Sequence, residues 1–206
     1  MAAQASFPTV STAQSEADTL VLDLDPLQGM WTEAQYLRLT EQTNRLVEFT
    51  NGTIEVLPVP TRTHQLILAF FYRAMLVLTQ STNGIVLFAP LRVQVAPGRF
   101  REPDLVVLLD QLDPRNQDCY WLGADLVLEV VSPDKPERDL IEKRRDYAEA
   151  GIPEYWIVNP IDETVTVLTL EGDRYAEHGV FARGTTATSM LLENFAVNVD
   201  AVFDAA

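Results

Sequence analysis

Asp104, on a predicted strand Pro103–Leu109, and Glu129, on a predicted strand Asp125–Val131, each sit inside or at the end of a run of valine and leucine. A lone carboxylate at the centre of a sheet is expensive to bury, so each must be paired, bound to a metal or set at a strand end near water. Either one alone reads best as a solvated strand end. Two neighbouring central strands that each present an acid make a different case, because this is how a hard divalent cation is held. Mg2+ takes oxygen ligands, needs only one or two carboxylates and keeps several waters for substrate.

The elements that must position these acids can be read from the pattern. The near-continuous apolar content of the two strands predicts burial on both faces at the centre of a sheet. Upstream, Thr32 with Gln35 predicts a capped helix to about Thr40. Asn51-Gly52 between Leu46–Thr50 and Thr53–Leu57 predicts a hairpin. Thr61 caps a helix to about Gln80 that is apolar on nearly every face and so is expected to be buried on most sides. Short β-rich runs follow at Ile85–Ala89 and Leu91–Val95.

Downstream, Pro136 and Gly151 bracket one helix, Glu137–Ala150, which leads into the strand Glu154–Val158. The alternation of Thr164–Leu170, the turn Glu171-Gly172-Asp173 and the return Arg174–His178 predict an antiparallel meander. The fold class is therefore α/β with a mixed central sheet flanked by helices, an N-terminal hairpin and a C-terminal meander. Residues 1–28 lack any sustained period and read as a loosely ordered arm, leaving 29–206 as one domain.

Composition narrows the setting. The 206 residues are 47% hydrophobic, enough to bury a proper core. The single Cys119 excludes an internal disulfide and reads as a small hydrophobe near a core edge. The first basic residue is Arg38, so no secretory leader is expected and a cytoplasmic location is. Leu66–Leu78, interrupted by Arg73, is too short to cross a bilayer.

The net charge of −15 weighs against easy attraction of phosphates. Much of it lies at the ends, since residues 1–37 hold five acids and no base and the chain after Arg183 holds three more acids. The stretch between keeps 22 acids against all 15 bases, a net −7.

The ordered set Arg101-Glu-Pro-Asp-Leu-Val-Val-Leu108, Asp125-Leu-Val-Leu-Glu-Val-Val-Ser-Pro133, Arg138-Asp-Leu-Ile-Glu-Lys143, Tyr147 and Gly151-Ile-Pro-Glu-Tyr-Trp-Ile-Val-Asn-Pro160 resembles the Uma-two family of restriction-endonuclease-like proteins. That family is common in cyanobacteria and belongs to the PD-(D/E)XK nuclease superfamily. The hairpin Val47–Pro58 and His64 look like its N-terminal motif, so the resemblance runs from about Met30 to Phe203. It implies a restriction-endonuclease-like core, with Asp104 and Glu129 as ligands to Mg2+, or Mn2+ in its place, and the backbone carbonyl of Val130 as a third ligand.

The superfamily's lysine falls two residues after the Glu on the same strand, and here that position is Val131. The chain has only two lysines. Lys143 matches the family's own lysine position, and its stem could lie along the apolar stripe of Leu140, Ile141, Tyr147 and Ala148 to bring its amine to the strand ends. The competing reading makes Lys143 a partner of Asp139 or Asp146 on an exposed face. Lys135 reads as a solvated loop charge.

Glu48 is either an outer-shell or second-metal ligand or an outward strand residue. His64 either contacts phosphate or metal or hydrogen-bonds locally. Glu55 and Glu102 read as solvated, the latter close enough to raise the pKa of Asp104 by like-charge repulsion. Tyr155 and Trp156 read as packing residues.

The resemblance implies a divalent-metal-dependent endonuclease that hydrolyses DNA phosphodiester bonds; the nearly all-apolar helix and the need to cut two strands point to a homodimer. One alternative is a catalytically idle nuclease-fold module that binds or regulates, and another is an RNA or single-strand nuclease.

Overall fold

The computed structural model describes residues 27–206; the arm expected at 1–28 lies almost wholly outside them. Helix α1 (Glu33–Thr40) opens with the capping box formed by Thr32 and Gln35. It packs on strands β1 (Val47–Thr50) and β2 (Thr53–Val56), whose hairpin turns at Asn51 and Gly52. Both turn residues have positive φ, at 46° and 91°, which this turn demands and which Asn and Gly tolerate. Helix α2 (Arg62–Thr82) begins with Thr61 accepting a hydrogen bond from the His64 amide. It is less enclosed than its sequence suggests: Ile67, Leu68, Phe71, Met75 and Thr79 are buried as one stripe, while Val77 is exposed.

Strands β3 (Ile85–Phe88), β4 (Val93–Ala96), β5 (Arg99–Arg101), β6 (Leu105–Leu108) and β7 (Leu126–Val130) follow. Cys119 is exposed in the long connection between β6 and β7, not at a core edge. Then come helix α3 (Lys143–Glu149), β8 (Glu154–Asn159), β9 (Thr164–Glu171), β10 (Arg174–Ala182), β11 (Thr186–Thr188), β12 (Ala196–Asn198) and α4 (Val199–Asp204).

A six-stranded sheet in the order β10-β9-β8-β7-β6-β3 forms the centre. Only the β7–β8 pair is parallel, as a strand–helix–strand crossover through α3 requires. The remaining pairs are antiparallel, so the sheet is mixed. Strands β6 and β7 are buried at every position. Their side chains alternate between two cores: Leu105, Val107, Leu126, Leu128 and Val130 face α2, and Val106, Leu108, Val127 and Val131 face Tyr147 and Ala148 of α3. A separate four-stranded sheet, β2-β1-β5-β4, carries its own small core of Tyr36, Val47, Phe49, Ile54 and Phe100.

The single helix expected at Glu137–Ala150 is two segments. A π-helical turn, Arg138–Glu142, precedes α3, and the Lys143 amide donates to the Arg138 carbonyl. The wider turn shifts the helix face by about one residue, or roughly 100°. Leu140 and Ile141, expected to line the packed stripe, are 38% and 64% exposed, while Arg138, Asp139 and Lys143 are buried. Polar groups thus face the protein over this turn, and they converge on the two strand acids.

Candidate metal and catalytic site

Strand pairing places the two acids. Leu105 pairs with Leu128, so one further step of the antiparallel register sets Asp104 opposite Glu129. Alternation then directs both toward the α3 side, since Val106 and Leu108 share that face with Asp104, and Val127 and Val131 share it with Glu129. The Val130 amide donates to Asp104 Oδ2 at 2.8 Å, locking the strand end to its neighbour.

Lys143 comes from α3 onto the same face. Its Nζ lies 2.8 Å from Glu129 Oε1, 3.2 Å from Asp139 Oδ1 and 3.4 Å from Glu48 Oε1, and its side chain is 2% exposed. The exposed-face reading of Lys143 is therefore excluded, although Asp139 is indeed one of its partners. Val131, at the position where the superfamily places lysine, packs in the core on the same face as Glu129. An amine from the facing helix reaches the region that a strand lysine would otherwise supply. Lys135 is exposed and pairs with Glu55 at 2.7 Å, a loop charge as expected.

Glu48 is buried in the hairpin, so the outward-residue reading is excluded. Besides Lys143 it meets Arg101 at 3.7 Å and accepts from the Glu102 amide at 3.3 Å. His64 Nε2 lies 3.0 Å from Asp104 Oδ2, while the buried Nδ1 has no hydrogen-bond partner among the described residues.

Glu102 departs from expectation. It is buried, its Oε2 accepts from the Val47 amide at 2.9 Å, and its carboxyl is pushed up to about 8, first by burial and then by the negative charge of Glu48. Tyr147, seen in the sequence only as a packing residue, donates from its hydroxyl to Glu129 Oε1 at 2.5 Å. The signal for it was its spacing of four from Lys143, which puts both on one helix face. Burial also raises the Glu129 carboxyl, aided by Asp104, Asp139 and Glu48 and opposed by the Lys143 ammonium. The same ion pairs raise Lys143 well above its ordinary value despite burial that pulls it down, so the amine stays charged.

Arg101 and Asp146 anchor this arrangement from outside. The Arg101 guanidinium donates to Asp146 through Nε and Nη2 and to Thr50 through Nη1. Asp146 lies three residues after Lys143, so the pair ties the hairpin sheet to the helix that carries the amine.

Asp104, Glu129, Lys143, His64, Glu102 and Asp139 line one pocket of about 300 Å³. Among the described residues, no three His, Cys, Asp or Glu side chains group into a ready metal shell. The donor chemistry still fits Mg2+. Hydrogen bonds engage one oxygen of each carboxylate, Asp104 Oδ2 and Glu129 Oε1, leaving Asp104 Oδ1 and Glu129 Oε2 without a protein hydrogen bond among the described residues. One or two carboxylates complemented by water and a backbone carbonyl are what this ion uses. Val130 lines the same pocket.

The fold is that of a restriction-endonuclease-like α/β domain. The structure matches the crystal structure of "a putative nuclease belonging to DUF820" from Anabaena variabilis, with a TM-score of 0.68 and 17% sequence identity, covering 82% of this chain and 97% of that one. The model of the Uma2 family, described as "Putative restriction endonuclease", matches residues 33–200, and the chain belongs to that family. No curated protein matches it. Among the described residues no helix is long and apolar enough to cross a membrane.

Proposed function

We propose that the protein is a divalent-metal-dependent endonuclease that hydrolyses DNA phosphodiester bonds in the cytoplasm. One observation carries this reading: two strand carboxylates and a buried, charged lysine from a different element meet in a single pocket. Asp104 and Glu129 would hold Mg2+ or Mn2+ through their free oxygens, with the Val130 carbonyl as a third donor. Bound there, the ion would supply Lewis acidity to a phosphoryl oxygen. Lys143 orients the attacking water or stabilises charge that develops on the phosphate, and its fixed position means that no reorganisation is needed as that charge appears. Tyr147 and Glu48 hold Glu129 and Lys143 in place, and His64 does the same for Asp104.

The test is cleavage of a supercoiled plasmid with Mg2+ or Mn2+ by the parent chain, Asp104→Ala and Lys143→Ala. Cleavage by the parent alone is expected. Equal cutting by all three would place the chemistry elsewhere, and no cutting of the plasmid or of single-stranded DNA by any of them would favour the idle module.

A further inference from the structure

The pocket that holds the carboxylates is lined by both apolar and charged residues. Val59, Pro60, Pro160 and Ile161 form an apolar side, and Val59 and Ile161 are 87% and 57% exposed. The pocket shares Leu57, Pro58, Ser132, Asp134 and Arg138 with a second groove, to which Arg45, Glu55 and Lys135 are added. Glu55 in that groove pairs with Lys135 at 2.7 Å and with Arg138 at 3.5 Å.

On the reading that this site cuts phosphodiester bonds, we propose that its substrate is an unpaired DNA strand. One nucleotide enters with its base against the apolar side, and the backbone phosphates follow the groove of Arg45, Lys135 and Arg138.

Three observations support this. The pocket, at about 300 Å³, is at the small end of ligand sites and suits one nucleotide. Among the residues that line it, the only Lys or Arg side chains are Arg138 and Lys143, and Lys143 is engaged by three carboxylates. The apolar residues Val59, Pro60, Pro160 and Ile161 offer no cation to the second backbone of a duplex, in a chain of net charge −15. An exposed apolar side does suit the face of a base, provided the base is out of its stack. That condition is unfavourable within a duplex and already met in a single strand. The groove that adds Arg45 and Lys135 beside the pocket then offers a path for one backbone.

The test gives the full chain, with Mg2+ or Mn2+, end-labelled DNA of one sequence as a single strand, a blunt duplex and a duplex bearing an unpaired flap. The single strand and the flap should be cut, and the blunt duplex at least about tenfold more slowly. Val59→Ser and Ile161→Ser should raise KM on the single strand and leave kcat near the parent value. Lys135→Ala should raise KM and flatten its dependence on salt. Equal cutting of the blunt duplex overturns the inference and leaves the nuclease reading in place, whereas no cutting of any of the three DNAs overturns both. A change of oligomeric state in Ile161→Ser with KM unchanged would assign the apolar side to a second copy of the chain, which also overturns it.

Discussion

Lys143 and Glu129 form an ion pair of 2.8 Å in which both side chains are almost wholly withdrawn from water. Helix α3 and strand β7 thus share one charge system, with Glu48 from the hairpin sheet and Asp139 from the π-helical turn around the same ammonium. Breaking it by removing the cation leaves three carboxylates facing one another in a dry site.

Lys143→Met should therefore unfold more easily than the parent by about 3–5 kcal/mol at neutral pH, and should not cleave DNA. Thermal or urea unfolding checks the first claim. Added Mg2+ should recover more stability in this variant than in the parent, because the cation replaces charge that the lysine provided. A variant as stable as the parent would show that the ion pair does not hold the site together.

His64 steadies Asp104 through Oδ2. His64→Ala should weaken Mn2+ binding about 10-fold to 100-fold, as loss of an outer-shell partner does, while His64→Gln should retain part of it. Titration of Mn2+ into the two variants, followed by calorimetry, distinguishes them. Equal affinity in both variants and the parent would remove His64 from the site.

Stability should depend on pH through Glu102, whose carboxyl is raised from 4.5 to about 8. Between those values the folded chain keeps a proton that the unfolded chain has lost. The unfolding free energy therefore falls as pH rises across this window, by at most about 1.4 kcal/mol per pH unit, and levels off above it. Glu102→Gln should reduce that slope, measured by urea unfolding at a series of pH values in the presence of a chelator.

Glu154 is a buried acid of another kind. It accepts hydrogen bonds from Trp156 Nε1, Ser189 Oγ and the amides of Met190 and Leu191, clasping the C-terminal loop to β8. Glu154→Gln turns an acceptor toward these donors into a donor, and should destabilise by about 1–3 kcal/mol. Cleavage measured well below the melting temperature should stay within a few-fold of the parent, which separates a structural carboxylate from those of the pocket.

Local signals were enough for much of the fold. Thr32 with Gln35 and Thr61 mark helix starts because a cap is satisfied within one turn, and Asn51-Gly52 marks the hairpin because positive φ is a property of those two residues. The two strand acids were visible for a similar reason, since a charge inside a run of valine and leucine is conspicuous without knowing its neighbours. The resemblance carried by the strings from Arg101 to Pro160 pointed to the family that the chain belongs to.

What the sequence determined by itself was thus most of the elements up to β10, the family and two acids at adjacent central strands, while no local pattern marked β5, β11, β12 and α4. Only the tertiary structure decided what surrounds them. Lys143 is 14 residues from Glu129 and 95 from Glu48, yet the three meet because the crossover folds α3 back over β7 and the π-helical turn rotates polar residues inward. Glu102 looked solvated because nothing in its own segment reveals that the hairpin closes over it, and Leu140 and Ile141 looked buried because a regular helical period cannot anticipate the wider turn. Periodicity reports which face a residue occupies within its own element, whereas a charged site is built from groups on four different elements.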